Sequence, residues 1–443
     1  MPQRLGVCAI VILVLAVPGA DPRAEAGAAK REAIAQYGIT WAFAAPVRAG
    51  RFVTGDWWVV GPVTVKDVTP APTAERHGSV VNPPAGTRQG YDRRIAGFDP
   101  KLRAAFPLEL EPGDSLVSTA SVEKIGDRTP ETVRGQYCRG PLRTAVVLTC
   151  LEEAPPPDAF RPAYVGTWRQ RFRTSALRRD ILPGLEPPDI VPDVAFYERA
   201  LERIWLDHMR QWVNRKMHPL ENMPDYGREI THIVSDVGLL LLLDDRKRER
   251  ETLLLRFVQK GIDYYGVVQS DDNLWIANGG HNSGRKWPIL FAGLLLDHEG
   301  MMSVEATFQE DQQTYYGEGY AGQKALWTIA PRNPNRRHEE VDPKDWETYG
   351  DKRGNTGRKA EGYRKLNGPT WVGQALAARL TGMVERWDHP AFFDYVDRWW
   401  RETAKARPFV KAMWTAYRDR ADAIGAEVQR KLAAPQDTLP RTR

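Results

Sequence analysis

Between Asn278 and Trp287 the chain reads Asn-Gly-Gly-His-Asn-Ser-Gly-Arg-Lys-Trp, so an imidazole, two amides and two cations stand close together. Each of these groups can hydrogen-bond a carboxylate. A carboxylate neutralised in this way makes the proton on its neighbouring carbon more acidic. In a uronic acid that proton is on C5, and its removal with loss of the 4-linked oxygen is β-elimination. The reaction also needs a base and an acid, and a tyrosine can serve as either when a nearby cation lowers its pKa.

The run Phe308-Gln-Glu-Asp-Gln-Gln-Thr-Tyr-Tyr-Gly-Glu-Gly-Tyr320 supplies such tyrosines. The expected catalytic set is therefore His281, Asn282, Arg285, Tyr315 and Tyr316. Asn278, Tyr226, Arg228, Tyr320 and Trp371 are expected to bind substrate. Glu310 and Asp311 invite a rival reading, because glycoside hydrolysis uses two carboxyl groups. Neighbours in one segment need not flank one glycosidic bond, however.

Each candidate also has a purely structural role open to it. His281 could bond its own loop, and Tyr315 and Tyr316 could edge the core. Arg285 and Lys286 could be a solvated helix start, although cations there oppose the helix dipole. His208 and His232 read as packed residues. The eight histidines form no His-x-His or His-x-x-x-His pair, so no metal or other cofactor is expected.

The elements that must position these groups differ along the chain. Residues 35–190 read as β-rich. Ile39 to Phe43, Gly50 to Gly61, Val63 to Val68, Leu108 to Val117, Ser115 to Val122 and Thr144 to Thr149 carry β-branched and aromatic residues between glycine and proline turns. Short strands at this spacing predict a β-sandwich-like region. Ala154-Pro-Pro-Pro157, with Pro183, Pro187, Pro188 and Pro192, marks an extended connector.

Over 191–432 the period becomes helical. Asp193 is placed to cap a helix over Ala195 to Arg215. Gly227 to Leu243, Trp287 to Leu296 and Thr370 to Leu380 read as buried helices. Arg246 to Val268, Pro390 to Lys405 and Pro408 to Leu432 read as amphipathic ones. Each buried helix follows a polar, glycine-bearing loop: Asp225 to Glu229, Gly279 to Arg285, and Lys365 to Trp371. This alternation predicts an α/α-toroid-like domain with its polar loops at one end, against the alternative of an irregular bundle. Three inner helices are too few for a closed ring, so the β-rich region, a further helix or a partner chain must complete the cleft. The expected fold class is α+β, multidomain.

Arg4 precedes the apolar run Leu5 to Val17, and small-residue sites such as Ala24-Glu-Ala26 follow it, so residues 1–26 read as a signal peptide. The run is shorter than the roughly 20 residues a membrane-spanning helix needs. A secreted or periplasmic protein with no membrane span after cleavage is expected. In an exported chain, Cys138 and Cys150 favour a disulfide over two buried thiols. A net charge of +5, with no long basic run, argues against nucleic acid as partner and suits an acidic polysaccharide. Fifteen tryptophans and fifteen tyrosines supply faces for sugar rings as well as core packing. The charged stretch 332–365 reads as a lid or loop, and its Gly354-Asn-Thr-Gly357 lacks the Lys and Ser or Thr of a phosphate-binding loop. Nothing in the sequence sets an oligomeric state.

The Gly-Gly-His-Asn-Ser-Gly-Arg loop, the Tyr-Tyr segment and the tail Asp388-His-Pro-Ala-Phe-Phe-Asp-Tyr-Val-Asp-Arg-Trp399 together resemble polysaccharide lyases of the α/α-barrel type, alginate and glucuronan lyases above all. The resemblance covers roughly residues 195–430. It implies cleavage of a uronic-acid polymer by β-elimination, with Asn282 and His281 as neutralisers, Tyr315 or Tyr316 as base or acid, and Arg285 assisting. Some of these lyases carry an Asn-Asn-His order that this chain lacks, which leaves the roles of His281 and Asn282 interchangeable. A hydrolase using Glu310 or Asp311, and a glycan-binding envelope protein without activity, are the alternatives.

Overall fold

The computed structural model describes residues 29–128, 139–210, 212–245, 248–330, 337–349 and 356–434. The expected signal peptide and Cys138 lie outside the described residues. The chain is α+β, with a curled N-terminal sheet and a helical C-terminal half.

Eight strands form one sheet: β1 (Ala29–Gln36), β2 (Ile39–Arg51), β3 (Trp57–Val60), β4 (Val63–Thr69), β5 (Ser79–Val81), β6 (Leu108–Leu110), β7 (Ser115–Ser121) and β8 (Leu142–Leu151). Their order is β5-β7-β8-β3-β2-β4-β6, and β1 also pairs with β2. Only the β3–β8 pair is parallel.

Strand β8 explains how the sheet meets the helices. Side chains alternate between the two faces of a strand. Val146, Leu148 and Cys150 enter a core shared with Trp41, Val59 and Val65, while Ala145 and Val147 enter the core of the helical half. Both faces are covered, so the strand is an almost unbroken apolar run. Cys150 is a free thiol on the sheet-core side. Its Sγ–H donates to the Leu110 carbonyl at 3.5 Å, and burial pushes the thiol up to about 12. The disulfide expected with Cys138 falls outside the described residues.

The helices are α1 (Val194–Leu201), α2 (Gly227–Leu240), α3 (Glu251–Ser270), α4 (Lys286–Leu296), α5 (Glu299–Met302), α6 (Gln309–Gln313), α7 (Gly357–Leu380), α8 (Val384–Trp387), α9 (Pro390–Thr403), α10 (Pro408–Tyr417) and α11 (Ala421–Ala433). A hairpin of β9 (Thr314–Tyr316) and β10 (Ala325–Trp327) follows α6. Helices α2 and α4 and the second half of α7 are buried nearly all round; α3 packs on α4, and α9 and α11 on α7. Among the described residues no helix is long and apolar enough to cross a membrane.

Two expected elements differ in instructive ways. Asp193 does cap α1, accepting from the Ala195 N–H at 3.0 Å, but the helix ends at Leu201 rather than Arg215. Beyond it, Asn222 Nδ2 donates to the carbonyls of Ala200, Arg203 and Ile204, and Trp205 Nε1 donates to Ala200, so side chains satisfy a buried, irregular backbone. The expected loop Lys365 to Trp371 is instead part of α7, with Pro369 inside the helix. Proline removes one helical hydrogen bond there. Close packing holds the helix together regardless: a Cβ on Gly368 would sit 2.6 Å from the Trp399 ring, and Ser235 on α2 donates to the Thr370 carbonyl at 2.8 Å.

Candidate functional site

The loop from Asn278 to Arg285 joins the approach from α3 to the start of α4, and its shape is fixed from below by buried polar groups. Arg285 is fully buried. Its Nε and one terminal nitrogen donate to the two oxygens of Asp207 at 2.7 and 3.0 Å, and its other terminal nitrogen donates to the Ser283 and His281 carbonyls at 2.6 and 3.2 Å. Asp207 also receives Tyr264 Oη at 2.9 Å and the Asn214 amide, and His218 Nε2 lies 3.4 Å away. Burial alone would raise the Asp207 carboxyl, but Arg285 and His218 hold it well below the usual carboxylate range. The charge at the start of α4 is therefore met by protein, not left for a ligand. Lys286 is likewise tied to Asp311 at 2.6 Å and to the Trp387 carbonyl.

Helix α6 supports the other side of the loop. Gln309 Oε1 accepts from the Asn282 N–H at 3.0 Å, and Gln313 Nε2 donates to the Gly279 carbonyl at 2.8 Å. Glu310 accepts from the Gly284 N–H at 2.5 Å, Ser283 Oγ at 3.1 Å and Gln374 Nε2 at 3.1 Å. Burial raises its carboxyl, with the Gly284 N–H and Gln374 opposing. Gly284 adopts φ +93°, a region in which a side chain is strained. The Asn282 amide donates to the Ile276 carbonyl at 2.7 Å, and the buried Trp371 indole donates to Ser283 Oγ at 2.7 Å. Asn282, Arg285, Asp311 and Trp371 are thus occupied in holding the loop and its neighbours, as is one oxygen of Glu310, whose other oxygen is buried without a protein partner among the described residues.

Above this floor the loop presents a different set. The His281 ring lies edge-on to Tyr226, with centroids 4.7 Å apart, and its buried Nδ1 has no protein partner among the described residues. Burial pushes the imidazole down to about 3, helped by Arg215, Arg139, Arg285 and His218, so it is neutral near pH 7. Burial pushes the Tyr226 phenol up to about 12, and Tyr363 adds to this while Arg228 and Arg215 oppose it. The Arg228 guanidinium stands 5.8 Å from the centre of the Tyr226 ring. Gly280 permits the close approach, since a Cβ there would fall 2.5 Å from Asn367 Oδ1 and 3.1 Å from the Tyr226 ring. Asn367 Nδ2 anchors the same turn by donating to the Gly279 carbonyl at 2.7 Å.

Three of these groups were not singled out from the sequence. Tyr363 lies in the stretch read as a lid, yet it belongs to α7 and packs at Gly279. Arg215 lies in the expected first helix but occupies a short 3-10 turn, Trp212–Lys216. Arg139 comes from the sheet half, just before β8, where Gly140 packs on the Lys216 backbone. Here a residue of the sheet half contributes charge beside His281. No local motif marks these residues, because only the fold brings them together.

The tyrosines expected to transfer protons lie on the β9–β10 hairpin. Arg337 stacks 4.6 Å from the centre of the Tyr315 ring, and burial followed by Glu340 raises the phenol strongly. Tyr316 is 54 % exposed and donates to Asp394 at 2.6 Å; that bond, with lesser help from burial, pushes it up to about 12. Tyr320 is exposed, and Asn278 contributes its backbone N–H to Gln309 at 3.3 Å. Among the described residues no three of His, Cys, Asp and Glu converge as metal ligands. Compared with known proteins, the chain matches no family model, no curated protein and no solved structure.

Proposed function

We infer that this chain is an exported enzyme that cleaves a uronic-acid-containing polysaccharide by β-elimination, in a partial α/α-toroid whose inner staves are α2, α4 and α7. One observation carries the reading: a neutral imidazole, His281, set edge-on against a protonated phenol, Tyr226, with the charges of Arg139 and Arg215 acting on the imidazole and those of Arg228 and Arg215 on the phenol. In that arrangement the guanidinium groups hold the C5 carboxylate and acidify the C5 proton. His281 takes the proton, the C4–C5 double bond forms as the C4–O4 bond breaks, and Tyr226 gives its proton to the leaving oxygen. The bound carboxylate adds negative charge beside His281 and so raises its proton affinity when substrate is present. A proton passed from His281 to Tyr226 through water restores both groups.

These roles move from Tyr315, Tyr316, Asn282 and Arg285 to Tyr226, His281 and the three arginines, because Asn282 and Arg285 hold the loop backbone and Asp207, Tyr316 donates to Asp394, and His281 packs edge-on against Tyr226 rather than against a hairpin tyrosine. Asp311 is held by Lys286 and the Trp387 indole, and one oxygen of Glu310 by Gly284, Ser283 and Gln374; the other Glu310 oxygen is buried without a partner among the described residues, so a hydrolase is the second reading. The deciding experiment incubates the purified protein with polyglucuronate, alginate and neutral glycans, following the absorbance of the unsaturated uronate together with new reducing ends. Both signals on an acidic polymer are expected. New ends without the absorbance mean hydrolysis, and neither signal removes the enzymatic reading.

A further inference from the structure

We propose that the cavity where Thr167 and Trp168 meet the end of α3 is a second glycan site, one that takes uncharged pyranose rings. It lies on the seam between the two halves: Asn82 follows β5, Trp168 belongs to the segment after β8, and Gly266, Gln269 and Ser270 close α3. None of its lining side chains is charged, in contrast to the arginine-ringed cluster at His281. What lines it instead is an indole with neutral hydrogen-bonding groups, the combination that recognises a sugar by its C–H face and its hydroxyls.

The parts divide into a fixed wall and free groups. Asn82 is fixed: its Nδ2 donates to Asp114 at 2.7 Å, and its Oδ1 accepts from the Ser115 N–H at 2.9 Å and from Arg169. Trp168 is braced from behind by Tyr265, edge-on at 5.1 Å, and by Phe172 at 6.1 Å, and both of those rings rest on His298. An indole held in this way loses little freedom when a ring stacks on it. By contrast the Thr167 hydroxyl, the Gln269 amide and the Trp168 N–H have no protein partner among the described residues. Ser270 Oγ accepts from the Ala85 N–H at 3.3 Å and keeps its own proton to donate. Together these supply donors and acceptors without charge, which favours hexose or pentose units over uronates.

Isothermal titration of the purified protein with cello-, manno- and xylo-oligosaccharides, beside a glucuronate oligosaccharide, tests the site. Saturable binding of at least one neutral series is expected. Trp168→Ala should weaken it about tenfold or more, as for aromatic anchors at other binding sites. The double variant Gln269→Ala/Ser270→Ala, whose side chains are exposed, should weaken it too, with thermal unfolding unchanged to show that the fold is kept. Tyr226→Phe should leave it unchanged. The proposal is overturned if no neutral series binds, if the double variant binds like the parent, or if Tyr226→Phe abolishes binding. None of these results depends on whether the His281 cluster performs β-elimination.

Discussion

Two polar clusters share one loop, and they are built for opposite purposes. Beneath the loop, Arg285, Asp207, Glu310, Asn282 and Trp371 are buried and bonded to one another or to backbone. Above it, His281, Tyr226, Tyr363 and Arg228 are half-buried, and His281 keeps a ring nitrogen without a partner. The residue types are nearly the same in both. What separates the two clusters is burial, which is not a property of the motif.

The largest effect should come from breaking the lower cluster. Asp207→Ala leaves the Arg285 charge buried and unpaired, which costs about 3–5 kcal/mol. Urea unfolding should show that loss, and a change of less than about 1 kcal/mol would mean that the ion pair does not hold the loop. In the upper cluster the balance should reverse. Tyr226→Phe is expected to lower turnover by about a hundredfold or more, the usual contribution of a positioned proton donor. Its stability should stay within about 0.5 kcal/mol of the parent. A variant that unfolds along with losing activity would place Tyr226 with the framework.

Lowering pH tests the comparison more gently. Burial pushes His281 and His232 down to about 3 and His208 down to about 4, against an ordinary value of 6.5. The unfolded chain therefore binds more protons than the folded one below 6.5, and stability is lost as pH falls from there toward the folded values. Thermal unfolding followed between about pH 7 and pH 5 should show a falling midpoint, with a shallower slope for His281→Asn by about one proton. Equal slopes would show that His281 is not held neutral by its surroundings. The smallest effect is expected at the hairpin. Tyr316→Phe removes only an exposed bond to Asp394 and should change stability by less than about 0.5 kcal/mol, with activity unaltered. Loss of activity there would return the proton-transfer role to Tyr316.

Much of the framework was legible because it is local. β-Branched and aromatic residues between glycine and proline turns marked β2, β4, β7 and β8, all-round apolarity marked α4, and Asp193 marked the start of α1. The loop at His281 stood out for its glycines and its mixture of polar groups. What could not be read depended on distant partners. Trp205 and Met209 fit a helical period, yet the chain there is irregular because Asn222, well beyond them in sequence, satisfies its carbonyls. Pro369 reads as a helix breaker, but packing against Trp399 and Ser235 carries α7 through it. Arg285 reads as a free cation until Asp207 is seen beneath it, and Arg139 has no tie to His281 except through the seam between sheet and helices. The order of the strands in the curled sheet has the same origin, since it is set by pairings such as β3 with β8 that no short window contains.

The most direct test of the central claim measures unsaturated-uronate formation from polyglucuronate and alginate by the parent protein and by Tyr226→Phe, His281→Ala and Tyr315→Phe/Tyr316→Phe. The account predicts product with the parent and with the hairpin double variant, and a loss of about a hundredfold or more with either of the other two. Product formed at the parent rate by both Tyr226→Phe and His281→Ala would contradict it.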